Sequence, residues 1–176
     1  MNKKSFFTVK KIAYAGIFIA LSVAVNSMRI GSVSFGGFPI IFSGYALGPL
    51  FGFIVGGLSD LVGFLIRPSS TGGFNPLFTL TSALTGAIPV IITSALGDKY
   101  PKFNLWKIFI GILVGQAITS VVLVPIFISV LYGKNTVWYY MISAAIKQAV
   151  SIPVYSILLK AINDIISKQI DFRANA

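Results

Sequence analysis

Asp60 is the residue whose chemistry is hardest to explain as solvated surface. The 176-residue chain has four acidic residues, and Asp60 lies deep within an apolar stretch. An ionisable group there is costly and marks a functional position by default. Lys147 is the other charge well inside an apolar stretch, so two roles stay open. Asp60 either forms an ion pair with Lys147 or accepts the adjacent N–H and amino donors of a heterocycle, which one carboxylate binds bidentately. Asn26, Gln116 and Gln148 are further polar groups in apolar surroundings, suited to lining a cavity or to bonding across helices.

A second constellation sits in the polar connections at residues 29–37, 67–75 and 132–137, which hold much of the Ser, Thr, Asn and Gly. The first two bring Phe35, Phe38 and Phe74 close in sequence to Arg29 and Arg67. Aromatic faces for stacking and guanidinium groups for a carboxylate are what a pocket for a flat, polar, anionic small molecule requires. The same residues also fit an interfacial aromatic belt with loop arginines.

Several chemistries are excluded by what the chain lacks. With no cysteine and no histidine, it offers neither a thiolate or imidazole nucleophile–base pair nor a metal site, so an enzyme is not expected and no cofactor is implied. No glycine loop followed by Lys-Ser or Lys-Thr is present, and no chain of in-span carboxylates forms a proton relay. Such a chain does not energise transport alone. The net charge of +10 comes from Lys and Arg clustered at segment ends rather than striped on a soluble fold, which argues for membrane topology and against nucleic acid.

The elements that must position these residues are membrane helices. The sequence is 56% hydrophobic and 10% charged with a mean hydropathy of +0.89, whereas soluble domains carry about 25% charged residues. Residues 12–28 are uncharged and follow Lys3, Lys4, Lys10 and Lys11; no small-residue cleavage site follows, so they are read as a retained helix. The next uncharged stretch is too long for one span and contains Gly48-Pro49, which splits it into helices over 38–47 and Pro49–Ile66. Further spans are predicted over 76–96, 105–131 with a kink at Pro125, and 138–162, leading into a polar tail. The expected architecture is all-α, a single-domain bundle of six transmembrane helices over residues 1–176 in the bacterial plasma membrane. With both termini cytoplasmic, ten of the fourteen Lys and Arg residues fall inside, as the positive-inside rule requires.

Two small-residue series would let helices approach closely. Gly44, Gly48, Gly52 and Gly56 recur every four residues with Asp60 continuing the series, and Gly16, Ala20 and Ala24 form a smooth stripe on the first helix. Spacing alone leaves open whether that stripe meets a helix of this chain or of another.

From Arg29 to Pro89 the pattern resembles the substrate-binding S components of energy-coupling factor (ECF) vitamin transporters, most closely the folate-specific ones. It runs through Arg29, Phe38-Pro39, Gly44, Gly48-Pro49, Gly52, Gly56, Asp60, Gly63, the run Gly73-Phe74-Asn75-Pro76-Leu77-Phe78-Thr79-Leu80, and Gly86. The run departs from the folate group's form at Asn75 and Leu77. The resemblance implies a six-helix protein that captures a vitamin at its outer face and docks on a membrane-embedded T component driven by two cytoplasmic ATPases. Arg29, Asp60, Arg67, Phe74, Asn75 and Thr79 are the pocket positions it carries over, and it assigns the Ala20–Ala24 spacing to the T-component contact. An S component for pantothenate or riboflavin is the near alternative. A stand-alone secondary transporter is the more distant one, against which stands the absence of an internal repeat.

Overall fold

The computed structural model describes residues 7–27, 35–66, 73–133 and 137–172. The described residues form six helical rods, five of them long and apolar enough to cross a membrane. α1 spans Val9–Ser27, α2 Gly37–Leu47, α3 Pro49–Ile66 and α4 Pro76–Ala95. The fifth rod, Leu105–Tyr132, consists of α5 (Leu105–Gln116), a π-helical stretch (Ala117–Leu123) and α6 (Val124–Tyr132). The sixth is α7, Val137–Ile166.

Local chemistry explains the boundaries. α2 and α3 part at Gly48, whose φ of 108° lies in the region glycine adopts without strain, and Pro49 opens the next helix. Asn75 and Asn104 start α4 and α5 by accepting the Leu77 and Trp106 N–H groups, each at 3.0 Å. The expected kink at Pro125 takes a different form. Ahead of the proline the ladder has already slipped by one residue, so that the Val124 N–H donates to the Thr119 carbonyl five positions back. The sixth rod is also longer than expected, reaching Ile166.

α2 is the centre of the bundle. Its 11 residues measure about 16 Å, too short to cross about 30 Å of hydrocarbon, and everything from Pro39 to Leu47 is buried. Tyr45 meets Phe103 edge to face at 5.1 Å, and its hydroxyl shares a 2.7 Å hydrogen bond with Thr93 Oγ1, which in turn lies 3.1 Å from the Lys107 carbonyl. α3 and α4 pack backbone to backbone: a Cβ at Gly52 would strike the Gly86 carbonyl, and one at Gly56 the Ser82 carbonyl. Gly44, Gly52 and Gly56 of the four-residue series are thus helix contacts within the chain, while Gly48 marks the break between α2 and α3. α4 also carries most of the packing between the first four helices and the last two rods.

The described part of the polar tail is docked on the bundle. Phe172 is buried, with its ring 4.9 Å from Tyr14, and its N–H donates to Tyr100 Oη at 3.2 Å. Asn163 Nδ2 donates to the Pro101 carbonyl at 2.7 Å, and Lys10 Nζ to the Asp171 carbonyl at 3.2 Å. The segment after α7 therefore closes one end of the bundle against α1 and the α4–α5 loop. That loop is itself held by Asp98, which accepts from the Asn104 N–H at 2.6 Å and pairs with Lys107 Nζ at 2.7 Å. The Lys107 ammonium, followed by the Asn104 N–H, holds the Asp98 carboxyl below the usual carboxylate range.

Candidate functional site: a polar chamber inside the bundle

A cavity of about 240 Å³ lies between α1, α2, α3, α4, the π stretch and α7. Ser59 and Asp60 of α3 face Ser82 and Thr85 of α4, Gln116 and Ser120 of the fifth rod, and Gln148 and Tyr155 of α7. α1 contributes Ser22 and Asn26, and Gly36 and Gly37 close the α2 side. The pairs on α1, α4, the fifth rod and α7 are three, four or seven residues apart, which turns their polar groups to one face of an otherwise apolar rod, whereas Ser59 and Asp60 are neighbours. On α1 the inward residues Ser22 and Asn26 lie two positions from Ala20 and Ala24, about 200° around the helix.

Most of these groups are held by the protein itself. Ser22 Oγ donates to the Gly36 carbonyl at 2.8 Å, tying α1 to the start of α2. Thr85 Oγ1 lies 2.9 Å from the Thr81 carbonyl and 3.1 Å from Thr119 Oγ1. Ser120 Oγ donates to Gln116 Oε1 at 2.6 Å, a contact across the π stretch. Asp60 accepts from Thr79 Oγ1 at 2.7 Å and from Ser82 Oγ at 3.4 Å. No ion pair joins Asp60 to Lys147, which sits on the exposed face of α7 while Gln148 beside it turns inward. Among the described residues no lysine or arginine lines the chamber. Its character is that of an acceptor-rich box around one half-buried carboxylate.

The structure brings together only part of the candidate set. Asp60 and Thr79 are in direct contact, and Asn26, Gln116 and Gln148 line the cavity. Phe35 and Phe38 stand just outside it, their rings 6.2 and 5.7 Å from Tyr155. Phe74 packs on Phe64 at 5.5 Å and is 44% exposed. Asn75 is engaged as the α4 cap. Arg29 and Arg67 lie outside the described residues. Gly16, Ala20 and Ala24 are all exposed, and a Cβ on Gly16 would meet nothing within 4 Å, so the stripe faces away from this chain. Ser22, Ser59, Ser82, Thr85, Ser120 and Tyr155 are cavity residues absent from the candidate set. The three-residue spacing of Thr79, Ser82 and Thr85 was a signal available for two of them.

The described residues form a multi-pass helical bundle that encloses a polar chamber around one carboxylate, an arrangement suited to holding a polar small molecule. Residues 10–163 match the family of the substrate-specific component of ECF transporters, and the chain belongs to that family. It is 31% identical over 139 residues to the folate transporter FolT of Clostridium novyi (strain NT), covering 79% of this chain and 74% of that protein. A crystal structure of FolT bound with folic acid superposes with a TM-score of 0.73 at 25% identity, covering 90% of this chain and 97% of that one.

Proposed function

We propose that this protein is the folate-capturing S component of an ECF importer. It takes folate at the extracellular face and delivers it through a membrane-embedded T component driven by two cytoplasmic ATPases. The observation that carries the ligand assignment is Asp60, a carboxylate oriented by Thr79 at 2.7 Å within a polar chamber, in a chain related to a folate transporter. The 2-amino-4-oxopteridine ring presents a ring N–H beside an amino group, the donor pair that one carboxylate accepts bidentately. The carboxylates of the glutamate end are left for Arg29 and Arg67, and Phe35 and Phe38, beside Tyr155 of the chamber wall, together with Phe74 are offered for stacking. The distribution of Lys and Arg supports both termini on the cytoplasmic side, which requires the short α2 to serve as a sixth crossing beside the five long rods. The outward stripe of Gly16, Ala20 and Ala24 supplies a smooth face for a T-component helix.

Titration of the purified protein with folate, by calorimetry or by quenching of Trp106 and Trp138, tests the assignment. Saturable binding tighter than about 1 μM is expected, equivalent to about −8 kcal/mol. Absence of such binding, with tight binding of riboflavin or pantothenate instead, replaces folate by that vitamin. Arg29→Ala is expected to weaken folate binding by about 1.5 kcal/mol, the scale of a hydrogen bond to a charged group.

A further inference from the structure

Two acceptors in the chamber have no partner among the described residues. Ser59 is 5% exposed and its Oγ makes no hydrogen bond, and Gln148 Oε1 is likewise buried and unpaired. Both residues line the cavity, from opposite walls. Buried polar atoms are paired in the great majority of cases because leaving them dry costs about as much as a lost hydrogen bond, so each exception calls for an explanation. Here the fold itself provides none. The other hydroxyls around the chamber are satisfied internally, Ser22 by Gly36, Ser82 by Asp60, Ser120 by Gln116. α3 and α7, which both line the cavity, make little or no direct contact, and neither oxygen finds a partner on the other helix.

We propose that Ser59 and Gln148 read the heterocycle from opposite walls of the chamber and set its selectivity for an amino-substituted ring. This rests on the folate reading of the site. A ring N–H and an amino group together offer three N–H donors, and a bidentate carboxylate consumes two. The remaining amino N–H falls to Gln148 Oε1. The Ser59 hydroxyl, a donor as well as an acceptor, bonds a ring nitrogen next to the Asp60 contact. The ligand thereby joins two helices that the protein leaves apart, and a ring without the amino group strands Gln148 unpaired. Rejection of a ligand that leaves a buried polar group unpaired is stronger than rejection by shape alone.

The test measures the affinity of folate and of its 2-desamino analogue for the wild-type protein and three variants, Gln148→Leu, Gln148→Glu and Ser59→Ala. The wild type is expected to prefer folate by about a hundredfold, because the amino group serves both Asp60 and Gln148. Gln148→Leu should weaken folate about tenfold and leave the desamino analogue unchanged, so that the preference falls to the roughly tenfold share that Asp60 supplies, while Gln148→Glu, which keeps an acceptor, retains it in full. Ser59→Ala should weaken both ligands alike, because the ring nitrogen is common to them. Gln148→Leu that weakens both ligands equally, or neither, overturns the assignment, and so does loss of the preference in Gln148→Glu. Should Gln148→Leu fail to fold, the Gln148→Glu and Ser59→Ala comparisons decide. Failure of the wild type to bind folate at all is a separate result and refutes the folate reading instead.

Discussion

Replacing Asp60 by asparagine keeps the size of the side chain and one acceptor while removing the charge. In the wild type the carboxylate is oriented by a 2.7 Å bond from Thr79, with Ser82 more distant at 3.4 Å. An asparagine oxygen would stay with Thr79, the better donor, and turn its NH2 towards Ser82 and the ligand. Two charge-assisted bonds to the ring would then become one neutral bond or none, with a donor facing a donor. Hydrogen bonds to charged groups contribute about 1.5–3 kcal/mol each, so the net loss is about 3 kcal/mol, or roughly 100-fold in affinity at 1.4 kcal/mol per tenfold. Thr79→Val is the companion perturbation. It leaves the carboxylate intact but removes its short hydrogen bond, and a less ordered carboxylate should bind folate about tenfold more weakly, a loss of roughly 1.4 kcal/mol. Calorimetric titration of both variants, with a melting curve to confirm folding, is the assay. Folate affinity of Asp60→Asn within threefold of wild type would remove Asp60 from the ligand and leave it a purely structural group.

Gly86→Val should lower the thermal midpoint in detergent, because its Cβ meets the Gly52 carbonyl; overpacking of this kind costs about 1–3 kcal/mol, several degrees of melting temperature, and an unchanged midpoint would show that α3 and α4 can separate without penalty. The Asp98 carboxyl is held below its ordinary value by Lys107 and the Asn104 N–H. Its stabilising contribution is therefore complete above the unfolded-state value near 4 and is lost as the pH falls through the lower folded-state value. Melting curves between pH 7 and pH 3 should show a decline that Asp98→Asn reduces. Ala20→Trp should leave folate titration unchanged and abolish copurification with the T component; a surviving complex would place the docking surface elsewhere.

The rods were readable because breakers and apolar lengths announce themselves. Gly48-Pro49 combines a residue tolerant of positive φ with one that cannot continue a helix, and the chain parts there. Asn75 was read as a pocket position, and its side chain is engaged as the α4 cap, a role signalled by an asparagine immediately before a proline at the first helical position. The chamber was harder to read. Serines and threonines in membrane helices commonly bond back to their own ladder, as Ser43, Thr81 and Ser156 do to Ile40, Phe78 and Ile152. Residue type therefore does not separate these from Ser59 or Ser82, whose roles depend on which helix stands opposite. Phe172 was read as part of a polar tail for a similar reason, because a single ring among charged residues gains its burial from Tyr14, Phe18 and Tyr100 across the bundle.

The slipped ladder between Ala117 and Leu123 has a mechanical meaning for the fifth rod. It holds one residue more than a regular helix needs to cover the same rise, as an insertion taken up without shifting either flank. Deleting one residue there would let the rod relax to a uniform helix, with each half keeping its own packing partners. Deleting one residue elsewhere in the rod would instead turn everything beyond it by about 100°. With α7 and α6 held in place, a deletion within α5 would shift the register ahead of the chamber, and Gln116 and Ser120, which stay hydrogen-bonded to each other, could no longer face it together with α5 in its present packing. The π stretch thus acts as a register adjuster, setting how α6 is aimed independently of α5.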